Sequence, residues 1–181
     1  MKWTTLALAA SCAMFGAEAA NDLFHKRSAD SRNGFLAATD ATYVKECGSC
    51  HFPYSPGLLP ARSWELHMGR LERHFGESIA LDPATHRKVA DYLAAHAADR
   101  SEYHGSRLFL ERLDPKETPY RLLDVPLYRD MHLIIREVIH LKPRIRVRTL
   151  TDCGACHQYA DRGSFGNDEL LIPGLTPTAR R

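Results

Sequence analysis

The sequence predicts a mainly α-helical fold. Apolar residues recur at helical spacing in three separate segments, and each of these segments begins at a proline that can open a helix, namely Pro60, Pro83 or Pro126. The chain has 181 residues, of which 44% are hydrophobic and 25% are charged. This composition is typical of a globular protein, and the length allows one or two small domains.

Residues 1–20 are predicted to be an export signal peptide. Lys2 is followed by an apolar run from Trp3 to Phe15, and Ala17-Glu18-Ala19 fits a small-x-small cleavage site. The run is short for an uncut anchor helix, and the residues before Cys12 do not suit a lipoprotein. No later stretch approaches the roughly 20 apolar residues of a membrane span. We therefore expect a periplasmic protein of a Gram-negative bacterium, with no membrane span after cleavage.

The formal net charge of +2 is too small to indicate a nucleic-acid partner. The cysteines are more informative. Cys12 leaves with the signal peptide, and the remaining four form two C-x-x-C-H motifs, Cys47-Gly48-Ser49-Cys50-His51 and Cys153-Gly154-Ala155-Cys156-His157. The pairs are about a hundred residues apart, whereas paired zinc knuckles lie roughly 15–20 residues apart. Two isolated disulfides or a thioredoxin-like site would not explain the histidine that follows each pair.

The motif spacing suits covalent haem attachment. Two thiols separated by two residues can add to the two vinyl groups of one haem, and the following imidazole can then ligate the iron. The sequence therefore predicts two haem c groups, attached through Cys47, Cys50, Cys153 and Cys156, with His51 and His157 as proximal iron ligands. The expected function is electron transfer.

The first half is predicted to contain three helices. Residues 34–46 lead into the first motif, residues 52–60 form a Pro/Gly-rich loop, and Pro60 opens a helix that Gly76 closes. Asp82-Pro83 opens the third helix, which runs out near Asp99. The inner faces of the second and third helices comprise Trp64, Met68, Leu71 and Phe75, and Val89, Tyr92, Leu93 and His96.

The second half is less regular. Residues 101–119 are a connector of uncertain structure, and a helix from Pro126 to Lys142-Pro143 carries Tyr128, His132, Ile135 and Ile139 on one face. The alternation of Arg144, Arg146 and Arg148 with apolar residues suggests a short extended segment. Thr151 or Asp152 is predicted to cap a helix that bears the second motif, and the tail from Gly163 is expected to wrap the second haem.

The residue opposite each proximal histidine is left open by the pattern. For the first haem the candidates are His74, His67 and Met68, and for the second haem they are His132, His140 and Met131. A methionine opposite the histidine raises the reduction potential, whereas a second histidine leaves it low. The remaining histidines are expected to be solvated (His25, His86 and His104) or packed in the core (His96).

The residues resemble those of the dihaem cytochrome c family. In the first half the resemblance lies in Glu46-Cys47-Gly48-Ser49-Cys50-His51-Phe52, Pro56-Gly57-Leu58-Leu59-Pro60-Ala61-Arg62-Ser63-Trp64, His74-Phe75-Gly76-Glu77 and Tyr92-Leu93. In the second half it lies in Thr118-Pro119-Tyr120, His132, the second motif, Ala160, Gly163, Phe165 and Ile172-Pro173. The proline-rich segment and the His-Phe-Gly-Glu segment are far more specific than C-x-x-C-H alone.

The resemblance implies a class I cytochrome c-like helical domain over residues 21–105 and a small irregular, mostly helical haem domain over residues 106–181. It also implies bis-histidine irons of low potential, with His74 and His132 as the second ligands. The implied partners are a small soluble c-type haem protein as electron acceptor and a membrane b-type cytochrome as donor.

Two other functions are compatible with the motifs. A dihaem peroxidase-type enzyme is the main alternative, and it needs one open iron site. A sensor or assembly subunit that docks through the arginine run is the other.

Overall fold

The computed structural model describes residues 33–141, 147 and 149–174. The predicted signal peptide, Cys12, His25 and the three arginines at 144, 146 and 148 lie outside the described residues. Within them the chain forms α1 (Ala41–Gly48), α2 (Ala61–Met68), α3 (Pro83–Ala95), α4 (His104–Glu111), α5 (Pro126–Met131) and α6 (Leu133–Leu141). Two isolated β-bridges, and no strand, accompany these helices in the described part. The mainly α-helical class is confirmed.

Helix α1 is shorter than the sequence predicted. It begins at Ala41, not at residue 34, because the Asp40 carboxylate accepts the Tyr43 N–H at 2.8 Å and so caps the helix there. The residues before α1 pair with a distant segment of the chain. The Phe35 N–H donates to the Gly163 carbonyl at 2.9 Å, which ties the start of the described chain to its C-terminal part. Gly163 has φ +76°, and a Cβ there would collide with the Phe35 carbonyl oxygen.

Helix α2 also ends early. It stops at Met68, with Gly69 as its C-cap, and a 3₁₀ turn follows over Leu71–Arg73. The prediction that it continues to Phe75 is wrong, because Phe75 has φ +52°, which no right-handed helix accommodates. The buried Trp64 side chain donates to the Pro56 carbonyl at 2.7 Å and so fastens the Pro/Gly-rich loop to this helix.

Helix α3 begins where the sequence predicted. The Asp82 carboxylate accepts the N–H groups of Ala84 and Thr85, both at 3.0 Å, and Pro83 occupies the first turn. Val89 and Leu93 are buried, as the pattern predicted. His96 is an exposed C-cap residue whose Nδ1 lies 2.9 Å from the Tyr92 carbonyl oxygen, so its predicted core position is wrong.

The second half departs further from the prediction. The connector contains α4, and the helix expected from Pro126 is broken at His132 into α5 and α6. The second motif lies on a 3₁₀ turn, Cys153–Ala155, and not on an α-helix. Asp152 stands at its N-cap position but makes no capping hydrogen bond with its side chain.

Buried residues from both halves share one core. Phe35 packs edge-on against Phe109 at 4.9 Å and against Phe165 at 5.4 Å between ring centres, so three distant segments meet at one ring. The predicted domain boundary between residues 105 and 106 falls inside α4. The division into two domains stays a prediction. The core comprises Phe35, Tyr43, Leu58, Leu59, Ala61, Trp64, Met68, Val89, Leu93, Ala97, Phe109, Leu122, Val125 and Tyr128.

Within the described residues, no helix is both long enough and apolar enough to cross a membrane.

The core assignment predicts that Leu93→Ala destabilises the holoprotein by about 2–5 kcal/mol, because a fully buried leucine leaves a cavity. Leu93 is 2% exposed, whereas Leu133 is 48% exposed. Leu133→Ala is therefore the matched control, with an expected loss of less than about 1 kcal/mol. Guanidinium denaturation followed by far-UV circular dichroism measures both. An equal loss in the two variants would contradict this position of the core.

Candidate functional site

Helix α1 positions the first C-x-x-C-H motif at its C-terminal end. Cys47 lies in the last turn and is half-buried, whereas Cys50 lies just beyond the helix and is exposed. The next residue, His51, has its Nδ1 2.7 Å from the Phe52 carbonyl oxygen. A carbonyl can only accept, so Nδ1 carries the proton and Nε2 keeps a lone pair for a metal.

A tight turn after α2 presents His74 to His51. The His74 N–H donates to the Glu77 carbonyl at 2.9 Å, and the Glu77 N–H donates back at 3.0 Å. The two residues between them, Phe75 and Gly76, have φ +52° and +100°, which is the pattern of a type I′ turn. Phenylalanine is a strained choice at such a position. Its ring is 4.9 Å from the His74 ring and 5.0 Å from the Tyr120 ring, and these contacts offset the strain.

The His51 and His74 ring centres lie 6.1 Å apart, with planes inclined by 23°. A histidine nitrogen binds a metal at about 2.0–2.1 Å and lies roughly 1.1 Å from its ring centre, so two imidazoles on opposite sides of one iron have ring centres about 6.3 Å apart. The observed spacing therefore fits one iron between these rings.

His67 packs beside His74. Its ring is stacked on Tyr120, with centres 4.4 Å apart, and is 5.9 Å from the His74 ring at a steep angle. Burial, together with the neighbouring His74, lowers the pKa of His67 to about 4, so its imidazole is neutral. Met68 is packed in the core. Neither side chain takes the position opposite His51 that His74 has.

The second C-x-x-C-H motif faces the junction between α5 and α6. His132 is the residue at that junction, and its Nδ1 lies 2.8 Å from the Tyr128 carbonyl oxygen, so its Nε2 also stays available. The Tyr128 ring is stacked on the His132 ring at 4.2 Å. The His132 and His157 ring centres are 6.3 Å apart, with planes inclined by 68°. Rotating one imidazole about the line that joins the two ring centres changes the inclination of the planes but not the distance between the centres. This pair therefore also fits one iron.

The second pair opens on an apolar cavity of about 320 Å³. Met131 lines this cavity but is 61% exposed. Several lining residues come from the tail after Gly163. That this tail wraps the second haem stays a prediction. The cavity is lined by Phe35, Leu58, Phe109, Tyr128, Met131, His132, Ile134, Ile135, Val147, Thr149, Leu150, Asp152, Cys153, Cys156, His157, Phe165, Asn167, Leu170 and Ile172.

The side chain of His140, the other histidine candidate for the second iron, lies outside the described part of the structure.

The four motif cysteines are free thiols. Burial raises the pKa of the Cys47 thiol to about 11 and that of the Cys153 thiol to about 12. Both thiols are therefore protonated at neutral pH, unlike the thiolate of a thiol–disulfide redox site. Within the described residues, no three His, Cys, Asp or Glu side chains converge on a common point. A porphyrin supplies four equatorial nitrogens, so an opposed imidazole pair beside two cysteines is a donor set that fits a c-type haem.

Burial also lowers the pKa of His74 and His157, with the facing histidine as the next cause in each case. Neutral imidazole is the form that ligates a metal. The Nδ1 atoms of His74, His157 and His67 are buried and find no hydrogen-bond partner among the described residues. Ring spacing, and not this unsatisfied nitrogen, therefore separates His74 from His67.

The sequence interpretation missed Tyr54 and the strained turn at Phe75. The Tyr54 ring is stacked on His51 with centres 4.9 Å apart. The dipeptide Phe75-Gly76 could have indicated a turn, because glycine after a residue at positive φ is typical of tight hairpins. No local pattern indicated the role of Tyr54.

This chain is similar in sequence and fold to known dihaem cytochromes c. The sequence profile of the dihaem cytochrome c family matches residues 43–165. A diheme cytochrome c from Rhodobacter sphaeroides is 36% identical, with 72% of this chain and 99% of that chain covered and a TM-score of 0.61. A diheme cytochrome type c from Shewanella baltica OS155 is 32% identical, with 74% and 93% covered and a TM-score of 0.58. No curated protein sequence matches.

The ring positions predict different effects for the two histidines near the first site. His74→Ala removes the ring that faces His51, so one of the two haems is expected to become high-spin. His67→Ala removes a ring that is stacked on Tyr120 and is expected to leave both haems low-spin. Optical spectra of the oxidised holoproteins measure this. If His67→Ala produced the high-spin haem and His74→Ala did not, His67 would be the ring opposite His51.

Proposed function

Because this chain belongs to the dihaem cytochrome c family and carries two c-type haems, we propose that it is an exported electron carrier with two bis-histidine irons. His51 and His74 ligate the first iron, and His157 and His132 ligate the second. Cys47 and Cys50 hold the first haem, and Cys153 and Cys156 hold the second. Each bound haem supplies an iron that gains or loses one electron between its ferric and ferrous states.

The observation that carries this proposal is the spacing of the two imidazole pairs. The ring centres are 6.1 Å apart in the first pair and 6.3 Å apart in the second. Two histidines that ligate one metal ion have ring centres about 6.3 Å apart, so both pairs match this spacing. In each pair one ring belongs to a motif and the other to a distant turn or helix junction. Neither of these two arrangements follows from the motif alone.

The chain fixes the orientation of the rings through its backbone. The Phe52 carbonyl holds Nδ1 of His51, and the Tyr128 carbonyl holds Nδ1 of His132. Such bonds set the tautomer and make the ligating nitrogen more basic. The aromatic rings of Tyr54 and Tyr128, stacked on His51 and His132, keep water from one face of each imidazole.

A carrier is favoured over a dihaem peroxidase-type enzyme by the same geometry. An enzyme of that kind needs an iron position that hydrogen peroxide can reach. Here the half-buried rings of His74 and His132 are spaced from His51 and His157 as second ligands would be, which would leave no open position on either iron. Bis-histidine ligation also implies two low reduction potentials.

The first site lies close to the protein surface. Cys50 is exposed, and Phe75, beside His74, is 52% exposed, with the Arg121 guanidinium 5.6 Å from its ring centre. Residues near the second site are also exposed, among them Leu133 and Ile134 at the start of α6. Both sites can therefore be approached by a partner. We propose a small soluble c-type haem protein as acceptor and a membrane b-type cytochrome as donor.

The periplasm is the proposed location. The signal-peptide pattern of residues 1–20 supports export. The two C-x-x-C-H motifs account for each cysteine that remains after cleavage, which leaves none for a structural disulfide.

Two closed irons predict that carbon monoxide does not bind the reduced holoprotein. Both haems are expected to be low-spin in the oxidised and reduced states, because a histidine occupies each distal position. Optical spectra recorded before and after carbon monoxide addition measure this. A high-spin component that binds carbon monoxide, together with turnover of hydrogen peroxide with an artificial donor, would favour the enzyme instead.

The second site has its own test. His132→Ala is expected to convert one haem to high spin and to leave the other low-spin, because Ala has no ligand to replace the imidazole. His140→Ala is the matched control and is expected to leave both haems low-spin. An unchanged spectrum for His132→Ala would show that another residue ligates the second iron.

A further inference from the structure

The two C-x-x-C-H motifs, about a hundred residues apart in sequence, come together in the fold. The residue after the first motif, Phe52, lies beside the second motif: a Cβ built on Gly154 would be 3.9 Å from Cδ2 of Phe52. The segment that follows His51 therefore lies next to the second haem attachment site.

Tyr54 strengthens this contact by a hydrogen bond. Its hydroxyl donates to the Thr151 carbonyl at 2.9 Å. The same carbonyl oxygen lies 3.8 Å from Sγ of Cys153, the first cysteine of the second motif. One acceptor thus lies between the Tyr54 hydroxyl and the sulfur that anchors the second haem.

The other end of the Tyr54 side chain lies against the first site. The ring of Tyr54 is stacked on the His51 imidazole, with centres 4.9 Å apart and planes inclined by 25°. The backbone of Tyr54 is fixed as well, because the hydroxyl of the buried Tyr43 donates to its carbonyl at 2.8 Å. Tyr43 belongs to α1, the helix that carries Cys47.

We propose that Tyr54 is a positioning residue that fixes the two haem sites relative to each other, its ring orienting His51 and its hydroxyl tethering the segment that carries Cys153. A single half-buried side chain, held by the first helix, then contacts a ligand of one iron and the attachment segment of the other. A fixed separation matters for a two-haem carrier because one-electron exchange between the sites depends on their distance. The inference rests on the proposed coordination of the first iron by His51.

The chain offers a matched control for the hydroxyl. Tyr92 is also half-buried, and its hydroxyl also bonds to the backbone, accepting the Thr39 N–H at 3.1 Å. Both partners of that bond lie in the first half of the chain. Tyr92→Phe therefore removes a phenol-to-backbone bond without touching the contact between the motifs.

The test is electron paramagnetic resonance of the oxidised holoproteins, which reports the g values of each low-spin iron and the dipolar coupling between the irons. Tyr54→Phe is expected to keep both sets of g values, because the ring stays on His51, and to broaden the distribution of iron–iron distances. Tyr54→Leu is expected to shift the g values of one iron as well. Tyr92→Phe is expected to match the wild type in both properties.

An iron–iron distance distribution in Tyr54→Phe identical to that of the wild type would overturn the tethering role. Unchanged g values in Tyr54→Leu would overturn the orienting role. A wild-type spectrum without two low-spin signals would instead contradict the proposed coordination, so failure of the coordination and failure of the Tyr54 role give different results.

Discussion

Two pairs of opposed imidazoles, with ring centres 6.1 and 6.3 Å apart, set the constraint on which the other features of this chain depend. One ring of each pair directly follows the two cysteines of a C-x-x-C-H motif. The other ring is delivered by a segment far away in sequence, the turn at His74 or the α5–α6 junction at His132. The fold must therefore hold two irregular segments as accurately as it holds its helices.

Both irregular segments are held by backbone hydrogen bonds and aromatic contacts. The His74 turn closes on itself through Glu77, and its strained Phe75 packs on neighbouring rings. At the second site the Tyr128 carbonyl and ring both hold His132. Tyr128 belongs to the same hydrophobic core as Phe35. The position of His132 therefore depends on the packing of residues that are distant from it in sequence. Function and stability are coupled through these rings.

The sequence predicts the parts of this arrangement that are local. Both motifs, the proline that precedes α2, the Asp82-Pro83 start of α3 and the burial of Val89 and Leu93 are encoded within a few residues. The parts it misses depend on long-range contacts. Helix α1 starts late because Phe35 pairs with Gly163, and α2 ends early because the chain turns to bring His74 to His51. Apolar spacing carries no information about either contact.

X-ray absorption at the iron edge of the oxidised holoprotein tests the bis-histidine coordination most directly, because it distinguishes nitrogen from sulfur neighbours of the metal. Four porphyrin nitrogens and two imidazole nitrogens predict an all-nitrogen first shell for both irons. Met68 is packed in the core and Met131 is largely exposed, and neither has the position of His74 or His132 opposite a motif histidine. A sulfur contribution corresponding to one ligand on either iron would contradict the coordination proposed here.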